Sequence, residues 1–426
     1  MFLSGGSIWL IRSLPVCILF ILHSMAPAQT SVVSTDNTLS SEGAMAGVNL
    51  GRTGVYQAKG VHQVKGLLWK SNKLFEINYA GSLTMSFDGS SGTLAELGFS
   101  EPVLGNGKIY FQLCVSLKQN FIIALDANSG RGVWKFESKE ALSAPAVVGD
   151  TIFVVGNDGN IYALDAGGGK EKWRFSSKGQ QWYVNSAPAV ADGAIYFTSL
   201  AGNLYAVDIA AREARWVFTS KGILTTPAFD KAAVYIGNEK GFLYSVDVKT
   251  GKEIWNFKAK GEPEAPVVAA GAIYFRTKEG NLYCLDSKTG QQKWTSQVGG
   301  KSQPVFPITS VRVGTSLAFH DNIIYFAGAE KGGDHLFAID AQTGQRIWKS
   351  KVAGPCRSPI IAEGVVYLGS LGNFYAIDAK SGTEKWSLEA KSEFKGKKVS
   401  NVASSPAVAE ALVYFVTDEG FFYAVN

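Results

Sequence analysis

Cysteine and histidine are both scarce in this sequence, with 4 of each in 426 residues. Setting the leader aside leaves Cys114, Cys284 and Cys356. An odd number with no adjacent pair is not a disulfide framework. Cys284 stands in Leu282-Tyr283-Cys284-Leu285-Asp286, where other repeats carry Ala or Ser, and reads as a small buried residue. His62, His320 and His335 pair with no cysteine or other histidine at ligand spacing, so they read as ordinary surface or strand-end residues. A charge bias is also missing, with 41 basic against 36 acidic residues, which argues against a nucleic-acid binder. No Gly-rich phosphate loop lies between a strand and a helix, and no helix is convincing. Every Ser near a Gly is a turn residue, so no Ser/His/Asp triad can be argued. Beyond the leader, no apolar run is long enough to span a membrane.

The first 28 residues carry one charged side chain, Arg12, then an apolar run from Leu14 to Leu22, then Ala26-Pro27-Ala28 before Gln29. Small residues at −3 and −1 are what a signal peptidase admits, so a secretory signal cut after Ala28 is expected. The alternative is a retained anchor, although the run is shorter than the ~20 residues a span needs. Cys17 lies inside the apolar run behind Pro15-Val16, a poor context for lipid attachment. Cleavage leaves a net charge of +4, with 40 basic against 36 acidic residues.

What dominates the chain is a repeat. Its blocks close on Trp134, Trp173, Trp216, Trp255, Trp294, Trp348 and Trp386, and the earlier Trp69 also fits. Each block reads as four short strands. The first carries Pro102, Pro145, Pro188, Pro227, Pro266, Pro359 or Pro406, with Leu317 once instead. The second carries an aromatic: Tyr110, Phe153, Tyr196, Tyr235, Tyr274, Tyr325, Tyr367 or Tyr414. The third ends in Asp126, Asp165, Asp208, Asp247, Asp286, Asp340 or Asp378, and the fourth carries the Trp. Strands of this length stack as blades around an axis.

From Pro (or Leu317) to the aromatic is 8 residues in all eight blocks, and from Asp to Trp is 8 in all seven complete ones. Aromatic to Asp is 12 in four blocks but 16, 15 and 11 in the others. Trp to the next Pro is 11 at four junctions but 15, 20, 23 and 33 at the rest. Links 1–2 and 3–4 lie on one face of the disc, and links 2–3 and 4–1 on the other. All length variation therefore falls on one face, where repeat proteins tend to place binding loops.

The 3–4 turn, Asp-x-x-Thr/Ser-Gly, uses Asp to cap local N–H groups and Gly to supply positive φ. Gly130, Gly169, Gly251, Gly290, Gly344 and Gly382 hold that site, and Arg212 replaces it once, at an expected cost of about 1 kcal/mol if the turn is unchanged. The tryptophans are expected to pack between neighbouring blades as structural residues. Asn426 falls at the Asp position of a third strand, so the last block lacks a fourth. The segment around Trp69 is a fourth strand without a first three, and placing it there closes the ring. The expectation is an all-β, eight-bladed propeller over 61–426, behind a signal at 1–28 and an arm at 29–60.

The Asp-x-x-Thr/Ser-Gly-x-x-x-Trp turn after Leu-Tyr-Ala-Leu resembles the repeat of quinoprotein dehydrogenases and of the BamB-type outer-membrane assembly factors. Gly51-Arg52-Thr53-Gly54-Val55-Tyr56 is similar to the lead-in of PQQ-binding-like propellers. A BamB-like relationship implies a non-catalytic scaffold with no bound quinone and a protein partner at the cell envelope. A quinoprotein relationship implies an oxidoreductase holding PQQ and Ca²⁺, with vicinal cysteines, long inserts and a Glu/Asn/Asp cluster, none of which this sequence displays. A small-ligand or glycan binder is the third alternative. The expectation is therefore an exported, monomeric, non-enzymatic scaffold, periplasmic or extracellular, with an envelope or secreted protein partner, no catalytic or metal-binding residue and no cofactor.

Candidate interface residues sit in the variable links. Trp182 and Tyr183 lie in a four-residue insertion, Phe306 in the Gln297–Ser316 loop, and Lys391, Lys395, Lys397 and Lys398 in a basic stretch that contains only Glu393 against them. Exposed aromatics suit a contact anchor, and the lysines suit an acidic partner or anionic headgroups.

Overall fold

Short β-branched and aromatic runs punctuated by Gly and Asp build the strands, and among the described residues every regular element is a strand. The structure, a computed structural model, describes residues 98–116, 119–176, 187–300, 316–354, 356–370 and 372–389. It also describes 55–56, 67–70, 75–77, 83–85, 91–92, 393–394, 397–398, 402, 404–409, 412–417 and 422–425.

Blade 2 shows the plan. Ala146–Val148 pairs antiparallel with Thr151–Val155, that strand with Asn160–Asp165, and that with Glu171–Ser176. Eight such blades follow one another. Their innermost strands are Val103–Gly105, Ala146–Val148, Ala189–Ala191, Ala228–Phe229, Val267–Ala269, Ala318–His320, Ile360–Ala362 and Ala407–Ala409. The outer strands of blades 1 to 7 are Gly132–Ser138, Glu171–Ser176, Glu213–Thr219, Glu253–Lys258, Gln292–Gln297, Arg346–Lys351 and Glu384–Glu389. In blade 8 the position outside Phe422–Val425 is held by Leu67–Lys70, paired antiparallel with Trp69 opposite Ala424. The pair of outer strands in every blade shifts register beside the Trp position, a recurrent bulge.

Second and third strands are buried on both faces, because each lies between two neighbouring blades. Ile152, Phe153, Val154 and Val155 are all buried, whereas the outer strand Glu171–Ser176 alternates between exposed and half-buried. Seven apolar clusters lie at the blade junctions and together run round the whole ring, including one between blades 8 and 1 that joins Phe422 and Ala424 to Leu104 and Phe111.

The repeated tryptophans fasten these junctions. The indole N–H of Trp134 donates to the Ala166 carbonyl of blade 2, that of Trp216 to Val248, Trp255 to Ser287, Trp294 to Ala341 and Trp348 to Ala379, each at 3.0–3.1 Å. Three of these carbonyls also accept from the second-strand tyrosine: Tyr110 on Ala166, Tyr235 on Ser287 and Tyr325 on Ala379. The glycine of the next blade's turn lies flat on the indole. A Cβ on Gly251 would sit 2.6 Å from the Trp216 ring.

Those turns match the expected chemistry. Asp247 accepts from the Thr250 backbone N–H and hydroxyl, and Gly251 has φ +69. Arg212 keeps the same turn at φ +57. Cys284 is buried at 2% exposure, opposite Trp294 in its own blade's ladder.

Candidate partner-binding face

Two of the length changes are built as taller hairpins. In blade 1 the second and third strands run Lys108–Ser116 and Gln119–Asp126, and in blade 6 Ile323–Glu330 and Gly333–Asp340. The blade 2 counterparts are 5 and 6 residues long. Two to four extra residues per strand lift these hairpins roughly 7–13 Å above their neighbours. Gly98–Phe99 pairs against the raised part of blade 1 at Cys114 and Leu113. The raised tip of blade 6 is held electrostatically. Glu330 bonds Lys349 and Arg346 of the outer strand, and the Lys349 hydrogen bond leads in lowering its pKa.

Towards the axis of the same face, the residue two before each Pro carries a repeated task. The hydroxyls of Ser100, Ser143, Thr225 and Ser404 accept from the backbone N–H of Gln112, Val155, Gly237 and Val416 on the second strand. This satisfies a buried donor where the ladder ends. Two blades depart from the rule, with Glu264 and Arg357.

Glu264 is buried and lies near Arg276, whose side chain is 1% exposed. The Arg276 guanidinium donates from Nη1 to the Ala327 carbonyl (3.1 Å) and from Nη2 to Gly300 (3.3 Å), and lies 4.4 Å above the Phe326 ring. Burial pushes its pKa down and Glu264 opposes that shift. Blade 5 is thereby riveted to blade 6. Arg357 donates from Nε to the Val402 carbonyl at 3.3 Å, tying blade 7 to the link into blade 8. Glu101 accepts from the Ser405 hydroxyl at 2.7 Å across the junction of blades 8 and 1. The sequence reading passed over these residues. For Glu264 and Arg357 the signal was the loss of Ser or Thr at that position.

The named interface candidates are only partly located. Trp182, Tyr183, Phe306, Lys391 and Lys395 lie outside the described residues. Lys397–Lys398 forms a short antiparallel ladder with Glu393–Phe394, described for its backbone alone. Among the structural tryptophans, Trp134 and Trp216 are buried, Trp173, Trp255, Trp294, Trp348 and Trp386 are half-buried, and Trp69 is placed by its backbone. His335 is buried, with Nδ1 3.0 Å from the Gly333 carbonyl, and His320 lies 3.3 Å from Asp321.

A quinone with Ca²⁺ would need several carboxylates converging near the axis. Among the described residues no group of three or more His, Cys, Asp or Glu is placed to hold a metal. Glu101 is engaged by Ser405, and Cys284 and Cys356 lie in different clusters. No helix among the described residues is long and apolar enough to cross a membrane.

Comparison with solved structures agrees on the fold. BamB from Moraxella catarrhalis matches with TM-score 0.57 at 13% identity, over 78% of this chain and 100% of that one. The quinohemoprotein alcohol dehydrogenase from Comamonas testosteroni matches with TM-score 0.64 at 15% identity, over 89% of this chain and 80% of that one. The quinohemoprotein alcohol dehydrogenase ADHIIG from Pseudomonas putida HK5 matches with TM-score 0.64 at 13% identity, over 90% and 79%. At these identities the likeness carries the propeller and not the activity. No curated protein sequence matches the chain. The family described as outer membrane protein assembly factor BamB matches residues 67–220 and 201–426, most of the chain. With its eight blades and repeated Trp–carbonyl clasps, the chain belongs to this PQQ-like β-propeller family.

Proposed function

We propose that this protein is an exported, non-catalytic scaffold that binds a protein partner at the cell envelope through the face bearing its variable links. The observation that carries the reading is that the tall hairpins of blades 1 and 6 rise on the same side of the disc, the side on which the 2–3 links turn. The opposite side repeats one short turn around Asp126, Asp208, Asp247, Asp286, Asp340 and Asp378. A rigid ring with uneven loops on one face suits recognition of a shaped surface. The BamB family match supports this reading. The quinoprotein neighbours contribute the fold. The leader at 1–28 and a periplasmic or extracellular location belong to the same proposal.

The test uses the full chain purified from its own host. Native mass spectrometry with an absorbance spectrum distinguishes a bare or partner-bound chain from one carrying a quinone and Ca²⁺. Shortening the blade 6 hairpin around Glu330–Gly333 is expected to weaken partner capture at least tenfold. Altering the fixed-face turn at Lys249 is expected to leave capture unchanged. A bound quinone, or equal loss from both faces, overturns the proposal.

A further inference from the structure

In each blade the innermost strand pairs on one edge with the second strand, and its other edge faces the axis. An open edge presents unpaired N–H and C=O groups. In blade 7 that edge is paired. Val55–Tyr56 lies parallel to Ile360–Ala362, with Val55 opposite Ile361 and Tyr56 opposite Ala362, making a sheet of five strands. The same two residues also lie beside the innermost strand of blade 6, Ala318–His320.

Parallel pairing gives the direction of travel. An innermost strand starts at a 4–1 link and ends at a 1–2 link, so it runs from the variable face to the fixed face. Val55–Tyr56 therefore descends the channel the same way. Leu67–Lys70 takes the outer place of blade 8 antiparallel to Phe422–Val425 and so starts from the fixed face. Ten positions separate the two strands, a reach of at most ~33–36 Å, against roughly 14–15 Å between an innermost and an outer strand and one further step to the next blade.

We propose that Val55–Tyr56 is a strap supplied by the chain itself, which occupies the axial edge of blade 7 and must be displaced before any ligand can pair with or pass along that side of the channel. It is strand addition performed within one molecule, with main-chain hydrogen bonds as its source of affinity. The proposal does not rest on the scaffold reading. A protein that binds a ligand in its channel would need to release the strap, and one that binds on its outer face would not.

Hydrogen exchange of the full mature chain, read by mass spectrometry, tests it. The peptide spanning Ile360–Ala362 is expected to exchange roughly tenfold more slowly than the matching peptides at Ala146–Val148 and Val267–Ala269, whose axial edges pair with no other strand among the described residues. Val55→Pro, which removes a donor and fixes φ, is expected to bring blade 7 to the level of the others while blades 2 to 5 keep their protection. Equal exchange in the parent protein overturns the proposal, and so does slow exchange that survives Val55→Pro. If Val55→Pro unfolds the ring, protection will fall in blades 2 to 5 as well. The parent comparison then decides, joined by a chain lacking residues 29–56 but keeping Leu67–Lys70.

Discussion

Arg212 lays its guanidinium over the indole of Trp173, with the central carbon 5.2 Å from the ring centroid. It does so from a left-handed backbone, φ +57, at the one turn where the repeat has no glycine. A cation over an indole contributes about 0.5–1 kcal/mol at a half-exposed site. A non-glycine residue at positive φ costs about 1 kcal/mol. The two nearly cancel, which explains how the turn survives the substitution. Arg212→Gly should change stability by less than about 0.5 kcal/mol, while Arg212→Ala keeps the strain and loses the cation, costing about 0.5–1 kcal/mol. Urea unfolding of both variants checks this, and a stable Arg212→Ala would contradict it.

Tyr325 and Trp348 give their donors to one carbonyl, that of Ala379, at 3.0 and 3.1 Å. Either donor alone still satisfies that oxygen. Tyr325→Phe should therefore cost about 1 kcal/mol. Removing the second donor as well leaves a buried acceptor bare. In Tyr325→Phe/Trp348→Phe the loss should exceed the sum of the single losses by about 0.5–1 kcal/mol. Simple additivity in the double-mutant cycle would show that the carbonyl is satisfied elsewhere.

Gly251 and Gly364 both have positive φ, +69 and +73. A methyl group on Gly251 would meet Trp216 at 2.6 Å, whereas nothing lies within 4 Å of one on Gly364. Gly364→Ala should pay the backbone term alone, about 1–2 kcal/mol. Gly251→Ala should pay that and open the blade 3–4 junction, for a total of about 3 kcal/mol or more. Similar unfolding midpoints for the two variants would refute the clasp.

Asp378 is held at about 2, below its ordinary 3.8, first by the Ser381 backbone N–H and then, against the cost of burial, by Lys385 and the Ser381 hydroxyl. Asp126, Asp208, Asp247, Asp286 and Asp340 are shifted in the same direction. A carboxyl with a lowered folded pKa stabilises the fold fully above its unfolded value, and that contribution fades as pH falls through the folded one. Stability should therefore decline between about pH 4 and about pH 2. Asp378→Asn should be less stable at pH 7 and lose stability more shallowly across that window. Urea midpoints measured from pH 7 to pH 2 report both slopes, and identical slopes would rule the idea out.

Most of the architecture was legible because it is periodic. Pro145, Phe153, Asp165 and Trp173 recur in register, so strand order and blade count followed from spacing alone. The face carrying the variation was equally legible, since the Tyr110–Asp126 and Tyr325–Asp340 intervals are long. The bulge beside each Trp and the shared carbonyls were not. Both depend on how neighbouring blades meet, which no single repeat encodes. Arg276 and Glu264 were overlooked for a related reason. Glu264 precedes the innermost strand of blade 5 and Arg276 ends the second, and they matter through a carbonyl and a ring in the next blade. Val55–Tyr56 has no repeat partner at all, so its place beside Ile361 came only from the tertiary structure.

Blade 8 draws Leu67–Lys70 and Phe422–Val425 from opposite ends of the chain. During synthesis the early strand must wait, unpaired, until nearly every other residue has been made. Contacts so distant along the chain form late and slowly. A molecule assembled this way stays an open horseshoe for most of its making.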